Sequence, residues 1–535
     1  MDYDIKNIIE AVIENDMAAP KVPKKRVPKL KGIWKCHQVP DFLYGHRVGY
    51  YKGLAEGMIL ERYRRQLSKE EDNEVFEIVQ PHIKVLRKYF TYYKDTGTRT
   101  KIKLITNPFV IMKDIRLVYV LLDGIGDLPH PSLNDLTPLE AAYTPNLDLL
   151  ARNGSMGRVI SVGKGIAPQS DIAVFNMLGY SFKDDSYVGR GVIESIGCNI
   201  DFHEGDLALR GNFATVDDNL KVLDRRAGRV ISSEEAKSVC KTLSDNIRFS
   251  DMNASVTLKP TIAHRVVIRF RHAKLRLSDK ITNTDPAYDK VGGMGIAKAV
   301  TTQDIYIQES KAEEDTEPAK VAARMLNEFT TQAVQLLKDH PVNRIRIAAG
   351  KKPMNCILAR DSGNRYPNVE PINKKYNMTV GGIVDMPVEI GISKILGMKM
   401  FQGGSTIDYE KKAKVAVDSL KSVNAIYVHI KGPDEFGHDG DARGKKKNIE
   451  EIDRHFFGTL IQELNSIDAA IVISGDHSTP CVKKGHSDDP VPLLVSGSRV
   501  KQDGSARFTE TYGKRGRLGL LMGTEVLPTA IAMVS

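Results

Sequence analysis

The stretch SGDHSTPCVKKGHSDDPVP, residues 474–492, sets Asp476 beside His477, with Cys481 four residues further on and His486 nine after His477. Two imidazoles, a carboxylate and a thiol in so short a span are either metal ligands or the polar residues of a turn. Two other stretches end the same way. VYVLL runs into Asp123, and IYVHIKGP runs into Asp434, with His438 four residues later. Carboxylates together with imidazoles suit Mn²⁺, Zn²⁺ or a similar divalent ion. A lone cysteine gives too few sulfurs for a structural zinc knot, so Cys481 is read as packing. Each candidate alone is an ordinary turn or surface group; the three strand ends together carry the metal reading. Asp123, Asp434, His438, Asp476, His477 and His486 are more than one tetrahedral ion can use. That implies two ions, and two-metal centres act on phosphate esters.

Such chemistry needs a phosphoryl acceptor. GIAPQSDIAVFNMLGY (165–180) offers Ser170, in a Pro- and Gly-flanked turn just before an apolar helix. In isolation it is a helix N-cap. Beside a metal centre it becomes a nucleophile, because a helix N-terminus favours anionic phosphate and a nearby cation lowers the hydroxyl pKa. Asp171 and Asp441 are read as supporting or capping groups.

These residues need a scaffold. RLVYVLLDGIGD (116–127), NAIYVHIKGPDEFGHDGD (424–441) and DAAIVISGDHSTP (468–480) each pass from a short apolar run into a polar, Gly-containing loop, the pattern of a buried strand. TPNLDLLARNG (144–154) predicts a helix capped by Thr144, with Pro145 in its first turn and Gly154 at its end. NIEEIDRHFFGTLIQELN (448–465) predicts one helix with Ile449, Ile452, Phe456, Leu460 and Leu464 on a stripe. The fold class is α/β, a mostly parallel sheet flanked by helices, and ligands of such sheets bind beyond the carboxyl ends of the strands. Alternating stretches such as HRVVIRF (264–270) predict an inserted second α/β domain over 195–375, leaving 106–194 and 376–535 as the core domain. GRGVIES (189–195) is the crossover, with glycines suited to a hinge.

The chain has 535 residues and a net charge of +10; residues 1–113 hold 22 Lys/Arg against 14 Asp/Glu, so most of the excess lies there. Residues 1–105 are read as a basic, mostly helical extension. AAPKVPKKRVPKLKG (18–32) forms an extended arm, helices lie over 41–67 and 73–93, and Pro81 breaks the second. The basic arm raises nucleic-acid binding as a competing function. It is short, and packing on its own protein or on a second copy explains it as well; nucleic acid is not expected as a partner and a homo-oligomer is left open. No apolar run nears the roughly 18 residues of a membrane helix. The acidic N-terminus lacks the basic start and apolar block of a signal peptide. Five scattered cysteines fit a reducing cytosol, so the expected location is cytoplasmic.

LLDGIGD with TPLEAAYTPNLDLLARNG, PQSDIAVFNMLGY with GRGVIESIG, HIKGPDEFGHDGD, and GDHSTPCVKKGHSDDPVPLLVSG occur in that order. The set resembles the archaeal-type cofactor-independent phosphoglycerate mutases of the alkaline phosphatase superfamily, over roughly 115–535. The resemblance implies an alkaline-phosphatase-like core and interconversion of 3- and 2-phosphoglycerate without 2,3-bisphosphoglycerate. It implies two divalent ions, Mn²⁺ as the usual metal with Zn²⁺, Co²⁺ or Mg²⁺ as alternatives. Asp123, Ser170, Asp476 and His477 match the ligands of one ion, with Ser170 as the group that becomes phosphoserine; Asp434, His438 and His486 match those of the other. His477 and His486 are thus expected on different ions. A glycerate carboxylate needs a second surface, and arginine suits it. The candidates are Arg210, the group Asp224, Arg225, Arg226 and Arg229 in LDRRAGR, His264 and Arg265; Lys431, three residues before a metal ligand, is a candidate for touching the phosphate. The alternative function is a metal-dependent phosphatase, or a mutase for another phosphorylated metabolite, built on the same metal core.

Overall fold

Neighbouring side chains of the strand Leu117–Leu122 enter different cores. Leu117, Tyr119 and Leu121 pack in one cluster of buried residues, and Val118, Val120 and Leu122 in another. A strand buried on both faces must lie inside a sheet covered by helices on each side. A computed structural model describes residues 3–18, scattered residues between 51 and 63, 68–79, and 115–535 except 183–186, 292–293, 298–304 and 465–466.

The strands, in chain order, are β1 (Leu117–Leu122), β2 (Gly154–Ile160), β3 (Leu207–Val216), β4 (Val222–Asp224), β5 (Ala254–Pro260), β6 (Arg265–His272), β7 (Tyr288–Val291), β8 (Met294–Ala297), β9 (Cys356–Gly363), β10 (Val380–Ile383), β11 (Lys399–Met400), β12 (Ala425–Ile430), β13 (Ala470–Gly475), β14 (Val491–Ser496) and β15 (Gly519–Met522). Eight form one sheet in the order β11-β10-β12-β1-β13-β14-β2-β15. Only β14 runs against the other seven. The sheet is therefore mainly parallel, as the strand–loop–helix pattern requires. β1 sits between β12 and β13, and Leu122 is level with both Ile430 and Gly475. Three distant stretches of chain thus end at one height on three adjacent strands.

A second sheet takes its strands from between 207 and 363, in the order β4-β3-β6-β5 with β9 also on β3. Leu207, Leu209 and Phe213 of β3 point into its own core, with helices Ser233–Asn246 and Glu317–Lys338 contributing Val239, Leu243, Leu326 and Phe329. The helix Arg190–Gly197 leads into this region. Its glycines are close-approach positions: a Cβ at Gly191 would meet the Ala208 carbonyl at 2.6 Å, and one at Gly197 would overlap the Pro387 carbonyl. In return, Gly391 of helix Pro387–Ile395 lies against the Ile193 carbonyl.

Three local expectations are corrected. Residues 433–439 form a helix and not a loop: Pro433 opens it and Gly440, at φ 76, ends it. Ser170 is the first residue of its helix; the cap position is Gln169, with no side-chain capping bond. The stretch 448–465 is not one helix. Ala442–Ile452 passes through a π-type turn, Asp453–Phe457, into Gly458–Leu464. The turn re-aims Asp453, whose carboxylate accepts from the Leu147 amide at 2.7 Å and from Asn146 Nδ2 at 2.9 Å. Thr144 and Pro145 start the helix Pro145–Arg152 as expected, though Thr144 makes no side-chain capping bond, and Gly154 begins β2.

Residues Met1–Phe109 form a separate compact unit. Its helices Tyr3–Ala18 and Lys69–Val79 present Ile5, Ile9, Ile13, Val75 and Val79 to a small core with Tyr51, Ala55 and Ile59. Residues 19–32 of the basic arm, Pro81 and Cys36 lie outside the described residues.

Candidate active site

The carboxyl edge of β12, β1 and β13 gathers the residues singled out above. Asp123 follows β1 directly, Asp476 follows β13 directly, and Asp434 stands in the first turn of the helix after β12. Gly432, at φ 136, makes that turn possible; a Cβ there would run into the Asn448 amide. His477 Nε2 lies 3.3 Å from Asp476 Oδ2 and 3.5 Å from Asp123 Oδ1, and Ser170 Oγ is 3.4 Å from the same nitrogen. His486 Nε2 is 3.3 Å from Asp434 Oδ1, and His438 Nε2 is 3.6 Å from Asp434 Oδ2. The His486 and His477 rings stack at 3.8 Å, so the two clusters touch. The loop before Ser170 is fixed from this side, because the Pro168 carbonyl accepts from His486 Nδ1 at 2.7 Å.

Three sets of side-chain atoms converge closely enough for a cation: Asp434, His438 and His486; Asp123, Asp434 and His477; Asp123, His429 and Asp476. His477 and His486 fall in different sets. Two carboxylate oxygens there, Asp123 Oδ1 and Asp476 Oδ2, are buried with no hydrogen-bond partner. Buried anions without partners are costly, and a cation between them removes the cost. The residues present therefore fit divalent metal ions. The electrostatics agree. Burial and the neighbouring Asp123 charge push the Asp476 carboxyl up to about 7. Burial pushes Asp123 upward too, yet the Lys431 ammonium and His429 hold it well below the usual carboxylate range. His486 rises to about 9 against its burial, because Asp434 faces it.

Two buried polar residues went unread in the sequence. Lys431 Nζ, itself a candidate, bonds Asp123 Oδ2 at 2.8 Å and Glu389 Oε1 at 2.7 Å, and lies 3.4 Å from His429 Nε2. Glu389 and His429 are fully buried in apolar elements, PVEIGISKI and AIYVHI. A lone ionisable residue in an apolar run was the available signal. Behind the site, buried Lys445 holds the Gly126 carbonyl, Asp127 Oδ2 at 2.8 Å and the Thr479 carbonyl. Cys481 packs there, its amide donating to Asp127 Oδ1 at 3.0 Å.

The second sheet turns an arginine-rich face away from its own core. Arg210 is level with Arg360 of β9, and Asn212 with Arg265 of β6. Glu194 lies 2.8 Å from Arg190 Nε and 3.6 Å from Arg210 Nε, which has no hydrogen-bond partner. Asp285 is gripped by Arg225 at 3.1 and 2.8 Å and by Arg360 at 2.8 Å. The Arg360 guanidinium lies 4.3 Å from the Tyr288 ring centre. Burial and then Arg265, Arg226, Arg210 and Arg360 drive the His264 imidazole down to about 2. So many guanidiniums around one neutral ring make a surface that attracts an anion. Arg190, Arg360 and Asp285 were not among the sequence candidates.

The loop 224–229 joins the two regions. Asp224 accepts from Lys352 at 2.7 Å and from the Arg226 amide. Arg229 bonds Asp439, the neighbour of His438, at 2.7 Å, and Arg226 adds to the burial that lowers the His438 pKa. Through this loop the arginine-rich region reaches the carboxylate–imidazole cluster.

Comparison with known proteins bears on this arrangement. The family model for 2,3-bisphosphoglycerate-independent phosphoglycerate mutase matches residues 151–343. A protein of that name from Aeropyrum pernix is 39% identical over 432 residues, covering 79% of this chain and all of the relative. One from Methanopyrus kandleri is 34% identical over 420 residues, 77% of this chain and 94% of its own. Among solved structures, a Pyrococcus horikoshii protein superposes with a TM-score of 0.62 at 29% identity, covering 79% of this chain and 97% of that one. A cofactor-independent phosphoglycerate mutase from Thermoplasma acidophilum gives 0.52 at 28% identity, with 79% and 100% covered. With a carboxylate–imidazole cluster beside a helix-borne serine, and relatives 34–39% identical over 94–100% of their own lengths, the chain belongs to the 2,3-bisphosphoglycerate-independent phosphoglycerate mutase family.

Proposed function

We propose that this enzyme interconverts 3-phosphoglycerate and 2-phosphoglycerate through a phosphoserine on Ser170, with two divalent ions, Mn²⁺ in the first place. The observation that carries the reading is the position of Ser170. It opens a helix, and its hydroxyl is 3.4 Å from His477 Nε2 at the edge of the carboxylate–imidazole cluster. Asp123, Ser170, Asp476 and His477 would hold one ion, and Asp434, His438 and His486 the other. When bound, the ions supply positive charge that lowers the Ser170 pKa and neutralises phosphoryl oxygens.

The chain's own groups do the rest. Ser170 Oγ loses its proton and bonds the phosphorus as the bond to the 3-hydroxyl oxygen breaks, and that oxygen regains a proton. The helix N-terminus stabilises the new phosphoserine dianion. Arg210, Arg190 and Arg360 hold the glycerate carboxylate by charge-assisted hydrogen bonds. Arg225, Arg226, His264 and Arg265 line the same face and keep glycerate from leaving. Glycerate reorients, its 2-hydroxyl gives up a proton and takes the phosphoryl group, and Ser170 is protonated again. The region 195–375 serves as the substrate domain, and Arg229 with Asp439 closes it on the core. Ser170→Ala is expected to bind divalent ions as the unaltered enzyme does while turnover falls by about 10⁴-fold or more. Substantial residual activity would refute the nucleophile.

A further inference from the structure

Thr479 is fully buried between the two halves of the metal-ligand cluster. Its hydroxyl oxygen lies 2.6 Å from Asp434 Oδ1 and 3.1 Å from His477 Nδ1. The surroundings hold it there. Its amide donates to the Gly126 carbonyl at 3.0 Å, and its carbonyl accepts from Lys445 Nζ at 3.0 Å. Gly124, at φ 60, keeps the space open, since a Cβ there would come within 2.6 Å of Thr479 Oγ1 and 2.8 Å of Asp434 Oδ1. A threonine hydroxyl has one proton, and a carboxylate only accepts. The proton therefore goes to Asp434, and the hydroxyl can only accept from the ring. His477 must then carry its hydrogen on Nδ1. Its Nε2 is left with a free lone pair, aimed at Ser170, Asp123 and Asp476.

We infer that Thr479 is a positioning residue that couples the two halves of the centre. One hydroxyl sets the His477 tautomer on the Ser170 side and orients Asp434 on the other. The inference rests on the two-ion reading above. A ring nitrogen binds a metal only through its lone pair, and partners that fix the ring commonly matter 10–100-fold in metal affinity. Thr479→Val keeps the shape and removes the hydroxyl; Thr479→Ser keeps the hydroxyl.

The test is a Mn²⁺ titration of the full-length protein by calorimetry, with circular dichroism as the check on folding. Thr479→Val is expected to bind Mn²⁺ about 10–100-fold more weakly, and Thr479→Ser to restore the affinity. A second readout needs no variant of Thr479: long-range ¹H–¹⁵N correlation of the metal-free protein, with the His477 signal assigned by its loss in His477→Gln. His477 is expected with hydrogen on Nδ1. An Nε2-protonated His477, or Thr479→Val binding Mn²⁺ as tightly as the unaltered protein, overturns the inference. Unaltered protein that binds no pair of ions overturns the two-ion reading itself, and this inference with it.

Discussion

Asp361 is buried on β9 beside Arg360, with φ at 58 and both carboxylate oxygens without a hydrogen-bond partner. Arg360 Nε approaches it at 3.5 Å, but burial prevails and the carboxyl pKa is raised. A carboxyl raised in the folded state contributes stability that is complete below its unfolded value, roughly 4, and is lost as pH climbs through the raised value. Asparagine tolerates the left-handed backbone and has no charge to bury. Asp361→Asn is therefore expected to raise the melting temperature at pH 8 and to have little effect at pH 4. An equal gain at both pH values would mean that the charge is not the cause. Asp123, Asp476 and His477 were readable from the sequence because each closes an apolar run at a turn. Glu389 was not, because Lys431 lies 42 residues away and only the fold brings the two together; His429 was not, because Asp123 and Asp476, which it faces, follow other strands.

Helices Arg190–Gly197 and Pro387–Ile395 touch backbone to backbone at Gly197 and Gly391, and the second helix carries Glu389 to Lys431. Gly391→Ala puts a Cβ onto the Ile193 carbonyl. A core with no room costs about 1–3 kcal/mol for such overpacking, so urea unfolding is expected to show that loss, with activity falling as Lys431 shifts. Unchanged stability would show that the helices separate freely. At this scale the apolar runs gave β1, β12 and β13 of the large sheet, since burial on both faces leaves a plain signature. The helix at 433–439 was missed because its capping glycines and proline are also turn residues. The π-type turn at 453–457 was missed because Asp453 serves partners on another helix.

Besides the packing of helix Arg190–Gly197 on β3, an exposed ion pair, Arg229 with Asp439, links the 207–363 region to the core region beside His438. Exposed pairs contribute at most about 1 kcal/mol. Arg229→Ala is expected to leave the melting temperature in place while kcat/KM falls by about tenfold, or 1.4 kcal/mol. A fall in stability with unchanged kinetics would make the pair structural. The relatives align along 94–100% of their own length with 77–79% of this chain, so removal of Met1–Phe109 is expected to leave mutase activity intact. The basic charge of that unit was legible in composition; what it contacts was not, because charge without geometry names no partner. The most direct measurement uses the full-length enzyme with Mn²⁺, 3-phosphoglycerate and no 2,3-bisphosphoglycerate, coupled to enolase and assayed for free phosphate. Formation of 2-phosphoglycerate without phosphate release is the expected result. Free phosphate with no 2-phosphoglycerate would contradict the account, leaving a phosphatase built on the same cluster.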